Sequence, residues 1–242
     1  VIDTEGEFQA DPDSAKHKVR FTTTHGTFGA PGGFAMYCIA EFEQPFLSVE
    51  SVESQEFKNN EKKKTTGAIH LTPTNVGKPV LMKIGTSFIS YEQAELNLRN
   101  ELPDWKFEDA RAKSRSAWVK ELAVVDIKGA TDAQQSTYYT ALYRALQFPR
   151  MFHEPDEHGK LRHYSPFANG KIIDGPLYTD NGLWDTFRAA FPLFVLYSPE
   201  HGSDIIRGCL NAYKEGGWLP TWPSPGNRPC MIGSHGSSYV AE

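Results

Sequence analysis

The stretch YTDNGLWDTFRAAFPLFVLYSPE, Tyr178 to Glu200, sets a polar cluster at the mouth of a strongly apolar segment. Asp185 and Arg188 lie three apart and share a face if the segment is helical, and Trp184 and Phe187 bracket them with aromatic surface. A helix is expected from Leu183 to Tyr197, carrying Pro192 as a kink. Ser198 is expected to cap a further helix with Pro199 as its first residue, with Ile205, Ile206, Cys209, Leu210 and Tyr213 turned inward and Gly216 or Gly217 at its end. A second tryptophan-rich stretch, GGWLPTWPSPGNRPCMIG from Gly216 to Gly233, follows at once. Two aromatic and polar stretches one helix apart imply a carbohydrate site.

Upstream of this region the pattern is also helical. SYEQAELNLRNEL places Ala94, Leu98 and Leu102 on one face, and KFEDARAKSRSAWVKELAVV places Phe107, Ala110, Ala117, Trp118 and Leu122 on another. Thr131 opens the next helix with a Thr-x-x-Gln capping box closed by Gln134. Tyr138, Tyr139, Ala141, Leu142, Ala145, Leu146 and Phe148 give that helix an apolar stripe wide enough to predict burial on more than one side. Pro149 stops it, and a long polar loop is expected to run to about Asn181; loops beyond roughly 12 to 15 residues in compact domains are often functional. Long helices joined by long loops fit a toroid of helix hairpins better than a small bundle.

The first part of the chain is strand-like. Val19, Phe21 and Thr23 alternate with polar neighbours, and FAMYCIAEF (Phe34 to Phe42), PFLSVES (Pro45 to Ser51), AIHLT (Ala68 to Thr72) and PVLMKIGTSFI (Pro79 to Ile89) follow, separated by turn residues. Short strands at this spacing suggest a sandwich. The opening stretch to about Lys16 is charged and aperiodic and reads as disordered or as an excised end. SSYVAE stops in the first turn of another helix, so the chain reads as the upstream part of a longer protein. The organisation expected is a β-sandwich portion at 1–88, a helical linker at 89–128 and the first part of a helical toroid at 129–242.

Composition narrows the function. A formal charge of −5 offers no positive field for a phosphate backbone, so nucleic acid is not an expected partner. No run reaches the roughly 18 to 20 apolar residues of a membrane span. Cys38, Cys209 and Cys230 are widely spaced, with no CxxC or CxxH, and no disulfide is expected. His153, His158 and His163 recur every five residues beside Asp156 and Glu157, but the spacing is not that of a helix pair and a zinc site is not expected. MIGSHGSSY is not a nucleophile elbow, and a Cys230 and His235 pair has no independent support.

Four motifs, TSFISYEQAELNL, STYYTALYRALQFPRMF, GLWDTFRAAFPLFVLYSPE and GWLPTWPSPGNRPCMIGSHGSSYVAE, stand in an order and spacing that resembles glycoside hydrolase family 92, the bacterial exo-acting α-mannosidases. The likeness covers roughly residues 34 to 242. It implies an amino-terminal β-sandwich, a helical linker and an (α/α)6 barrel, with the active site between the lobes and a calcium ion holding the terminal mannose. It also implies hydrolysis with inversion, which needs an acid and a base carboxyl about 6.5 to 9.5 Å apart. The family's acid belongs to a Glu-Gly-Asn-Ala-Trp-Gln-Tyr segment and its base to a later Gly-Asn-Asp segment; neither string occurs here. No catalytic residue and no calcium ligand is therefore named, and a complementing downstream chain is one way to supply them.

By the same resemblance Asp185 is the aspartate that hydrogen-bonds sugar hydroxyls, which a carboxylate can do for two neighbours at once. Its structural alternative is an ion pair with Arg188. Arg228, in PGNR, is the complementary donor, or else an exposed loop arginine. Trp184, Trp218 and Trp222 offer flat faces to a pyranose, with at least one of the three expected to be core; Trp105 and Trp118 are assigned to packing. The whole is read as part of a mannosidase acting on terminal mannose of glycans such as α-1,2-linked mannosides, periplasmic or secreted. A mannose-binding remnant without catalysis, or another (α/α)6 glycosidase or phosphorylase, are the alternatives.

Overall fold

A computed structural model of the chain describes residues 2–4, 8–10, 17–25, 34–54, 64–71, 77–233 and 235–241. They divide into two compact units. One holds the described residues up to Trp105 together with Glu154–Tyr164, and the other holds Lys106–His153 and those from Ser165 onward.

The first unit contains two antiparallel sheets, as the alternation and turn spacing predict. Strands β1 (Ile2–Thr4) and β2 (Phe8–Ala10) lie in the stretch expected to be disordered or excised, and this corrects that expectation. Backbone pairing holds them despite the charged sequence: β2 lies beside β3 (Lys18–His25), which pairs with β4 (Phe34–Phe42). β5 (Phe46–Ser54) pairs with β6 (Lys64–Leu71), and β6 with β1. β7 (Met82–Ser87) completes the first sheet on the far side of β4. Val19, Ala40 and Phe42 of one sheet meet Phe46 of the other in a buried core flanked by Phe21, Val49 and Ile69.

The opposite face of the β4–β7 sheet is covered by α1 (Tyr91–Glu101), whose Ala94 and Leu98 pack on Ile39. The Ser90 side chain caps α1 by accepting from the Gln93 amide. Gly85 on β7 permits the close approach, because a Cβ there would stand 2.4 Å from the Ala94 carbonyl oxygen and 2.6 Å from Leu98 Cβ. Lys83 anchors the strand end, donating to the Leu102 carbonyl at 3.1 Å with its ammonium 4.2 Å from the Trp105 ring centre.

The expected loop from Pro149 to Asn181 is instead built of short strands: β8 (Arg150–Met151), β9 (Glu154–Pro155), β10 (Leu161–Ser165), β11 (Lys171–Asp174) and β12 (Tyr178–Thr179). Turns at Gly159, Asn169 and Gly170, all with positive φ, break it up. The β9–β10 hairpin belongs to the first unit. Its Glu154 carboxylate accepts from the Phe88 amide at 2.8 Å and from Asn97 at 2.7 Å, while Gln93 donates to the Pro155 carbonyl at 2.8 Å.

In the second unit, α2 (Phe107–Leu122) and α3 (Asp132–Ala145) form where the periodicity places them, and α3 carries the capping box of Thr131 and Gln134. α3 is not buried as predicted, since of its wide stripe only Leu142 is buried, and α2 has no buried residue. The tyrosines of that stripe turn hydroxyls to polar partners, Tyr139 to the Val125 carbonyl and Tyr138 to Tyr197. The expected helix over 183–197 is two helices, α4 (Leu183–Thr186) and α5 (Ala190–Tyr197). Pro192 sits in the first turn of α5, where a missing N–H costs nothing, rather than at a kink. Ser198 occupies the cap position of α6 (Pro199–Gly216) but makes no side-chain cap bond, and Gly217 closes it with φ 81°.

The buried line of α6 is Gly202, Ile205, Gly208, Cys209 and Ala212, while Leu210 and Tyr213, expected inside, are 37% and 50% exposed. The helix rolls onto its glycines: a Cβ on Gly208 would stand 2.9 Å from the Tyr178 ring. With Phe191, Phe194 and, from α7 (His235–Ala241), Tyr239, this line forms the unit's core. Burial pushes the Cys38 thiol up to about 11 and the Cys209 thiol up to about 12, and all three cysteines are free.

Gly85→Ala is expected to lower stability by about 1–3 kcal/mol, because both atoms it would strike belong to backbone or to a Cβ. Urea denaturation measures it, and an unchanged midpoint would show that α1 does not rest on β7 at this point.

Candidate functional site

The turn that carries Asp185 begins in an unusual backbone. Asp180 is left-handed at φ 58°, a conformation Asp tolerates better than most residues. Its carboxylate takes Arg150 Nε at 2.6 Å and a second guanidinium nitrogen, so β8 braces the turn that leaves β12. The next residue, Asn181, is 4% exposed and satisfied at both ends of its amide. It donates to the Tyr239 hydroxyl at 2.9 Å and accepts from the Thr186 hydroxyl at 3.0 Å. A buried amide so fully bonded fixes three segments at once.

The proline-rich loop is tied to the same turn through backbone. The amides of Asp180 and Asn181 both reach the Pro223 carbonyl, at 2.9 and 3.4 Å, and the Leu183 amide reaches that of Thr221 at 3.3 Å. Within the loop, the Arg228 amide donates to the Trp222 carbonyl at 2.8 Å, and Asn227 accepts from the Thr221 amide at 3.0 Å.

These bonds decide which of the expected site residues come together. Asp185 Oδ2 and Trp222 Nε1 both crowd Gly182, at 2.1 and 2.4 Å from the place a Cβ would occupy. Arg228 is joined to Trp222 by backbone and is exposed. The ion pair of Asp185 with Arg188 does not form: the Arg188 guanidinium carbon lies 4.4 Å from the Trp184 ring centre and 5.0 Å from that of Phe187. Trp184 lines a cavity of about 70 Å³ with Leu183, Leu219, Thr221, His235 and Gly236. Asp185, Trp222 and Arg228 lie outside that lining, and the cavity is well below the roughly 300 Å³ of a small-molecule pocket.

None of the three candidate sugar-facing tryptophans is core, contrary to expectation. Trp184 and Trp222 are half-buried, and Trp218 is 82% exposed. Trp118 packs on Tyr143 with ring centres 4.5 Å apart. His153 faces the Leu177 carbonyl at 3.0 Å, His158 is exposed beside Glu157, and His163 is fully buried. Among the described residues no three His, Cys, Asp or Glu side chains gather where they could hold a metal. The ring of His235 stacks on Phe187 at 4.3 Å.

Sequence reading passed over Asn181 and Gly182, which organise the turn. The signal was the Asp-Asn-Gly tripeptide, a turn composition placed directly before the helix.

Burial lowers the pKa of His201, whose ring meets Tyr178 and Phe194 edge-on; the carboxylates of Asp204 and Glu121 oppose that shift. The folded chain therefore favours neutral imidazole. Its contribution is complete above the ordinary value of 6.5 and is lost as pH falls through the lowered one. His201→Phe is expected to flatten the fall of Tm between about pH 7 and pH 5. A thermal melt series tests this, and an equal slope in the variant would rule the histidine out.

Residues 93–242 match the model of the "Glycosyl hydrolase family 92 catalytic domain". A solved family GH92 inverting mannosidase of Bacteroides thetaiotaomicron is 36% identical with a TM-score of 0.86, over 96% of this chain and 32% of that one. A GH92 α-mannosidase from the same organism, 24% identical with a TM-score of 0.77, is similar in fold over 97% of this chain and 32% of that one. An "uncharacterized secreted glycosidase" of Arthroderma benhamiae is 28% identical over 58% of this chain and 14% of its own length. The chain thus spans about a third or less of the length of these relatives.

Proposed function

The chain belongs to glycosyl hydrolase family 92, and from that membership we propose that the protein is an inverting exo-α-mannosidase acting on terminal α-mannosides of glycans, α-1,2-linked ones among them. The observation that carries the reading is the meeting of Asp185 Oδ2 and Trp222 Nε1 over Gly182. An acceptor and a donor side by side, with aromatic surface beside them, are what adjacent sugar hydroxyls require. Arg228, joined to Trp222 through its backbone, belongs to this reading as a further donor. Inversion and mannose are stated of the 36% identical Bacteroides enzyme and support the same chemistry here.

In this reading the chain is a β-sandwich portion at 1–88, a helical linker at 89–128 and, over 129–242, the opening helices of an (α/α)6 toroid. The proton-transferring carboxyls come from beyond these residues. Among the described carboxylates whose pKa is displaced, Glu92 and Asp156 both move down, Glu92 through hydrogen bonds at the start of α1 and Asp156 through the Lys160 and His158 amides. A general acid needs the opposite displacement. A second reading, a chain that binds mannose without cleaving it, is left by the absence of the acid and base strings from these residues. Calcium belongs to the proposal by resemblance; among the described residues no three His, Cys, Asp or Glu side chains gather to hold it, and no step is routed through the ion. The secreted fungal relative supports a secreted or periplasmic location.

The native protein is expected to release mannose from an aryl α-mannoside, and to lose this with chelator and regain it with calcium. Asp185→Ala should lower kcat/KM by about 100-fold, the scale of losing hydrogen bonds to a charged group. Mannose binding without release would favour the second reading, and glucose release would move the protein to another (α/α)6 class.

A further inference from the structure

Gly182 is buried, with φ −79° and ψ 106°, a conformation open to any L-residue. The backbone does not demand glycine here; the demand comes from what fills the Cβ position. A Cβ would lie 2.1 Å from Asp185 Oδ2, 2.4 Å from Trp222 Nε1 and 3.0 Å from Trp222 Cδ1. One side chain arrives from the helical turn and the other from the proline-rich loop. Among the described residues neither polar atom is spent on another protein group: Arg188, the nearest candidate partner in sequence, is held over Trp184 and Phe187 instead.

We propose that Gly182 is a positioning residue for the sugar site. Its missing side chain is the space in which the Asp185 carboxylate and the Trp222 indole N–H are brought together as a paired acceptor and donor for two neighbouring hydroxyls. The two sides are fixed independently of Gly182. The Pro223 and Thr221 carbonyls hold the loop on the turn, and Asn181 ties the turn to Tyr239 and Thr186. An added methyl therefore cannot be absorbed by sliding either segment. It must displace the Asp185 carboxylate, which is the free end of an exposed side chain, and tilt the indole. Such a change costs little folding energy and much site geometry. The inference rests on the sugar-binding reading of Asp185 and names the residue that sets its geometry.

The test is Gly182→Ala in the native protein, with Gly202→Ala of α6 as control; the three atoms nearest a Cβ there all belong to Val195, the closest a methyl at 3.2 Å. Gly182→Ala is expected to melt within about 4 °C of wild type yet to lose about 100-fold in kcat/KM on an aryl α-mannoside, the scale of a 1 Å misplacement. In an Asp185→Ala background it should cost little further activity, because the pair is already broken. Wild-type activity in Gly182→Ala, or an undiminished loss in the Asp185→Ala background, would overturn the proposal. Should Gly182→Ala unfold, Asp185→Ala is expected to restore part of its stability by vacating the space; no restoration overturns the proposal as well. If the wild-type protein neither binds nor cleaves mannosides, the mannosidase reading fails, and the stability coupling of 182 with 185 still decides whether the glycine makes room for the carboxylate.

Discussion

Three amide hydrogen bonds, from Asp180, Asn181 and Leu183 to the carbonyls of Pro223 and Thr221, join segments that are far apart in the chain. The arrangement of the candidate site follows from that join. It brings an aspartate on a four-residue helix beside an indole from a proline-rich loop. It also turns Leu183 into the core, where Phe191, Ile205 and Tyr239 enclose it. Backbone bonds suit this purpose because they do not depend on side-chain rotamers and are costly to leave unmade when buried. Asn181 reinforces the join from within, since a buried amide bonded at both ends admits few alternative arrangements.

Helices and strands were legible where periodicity was strong. Alternation marked β3, β4 and β7, and Thr131 with Gln134 marked the start of α3 to the residue. Misreadings arose where tertiary contact overrode local pattern. α6 looked like a stripe of Ile, Leu and Tyr, yet it buries its glycines, because Gly208 lets Tyr178 and Leu177 approach and rotates Leu210 and Tyr213 outward. Of the strands at 150–179, β8, β9 and β12 escaped notice because two-residue strands carry no period, and β10 and β11 because four or five residues show too little of one; the break before Ala190 was hidden because an apolar run does not show where a helix stops. The first two strands were hidden by the charged stretch around them and by their length of three residues each.

Of the candidate site, the polar and aromatic residues were legible and their arrangement was not. Asp185, Trp184, Trp222 and Arg228 stood out by residue type, and the fold places Trp222 against both the Asp185 turn and the Arg228 backbone. The glycine between them was silent, because a residue whose contribution is an absence leaves no chemical mark in a sequence. Family membership adds what geometry over these residues does not: a reaction class, and relatives that are about three times as long or longer.

The hairpin Glu154–Tyr164 belongs to the first unit, although the residues on either side of it belong to the second. Glu154 accepts from the Phe88 amide and Asn97, and Gln93 holds Pro155, so α1 is left with unmatched polar groups until that hairpin arrives. On a ribosome the first unit therefore stays unfinished well after β7 has emerged, and must wait while α2 and α3 are translated. At about 5–20 residues per second that delay lasts seconds, long enough for a chaperone to recognise the waiting surface, and it means that neither lobe corresponds to one continuous coding segment.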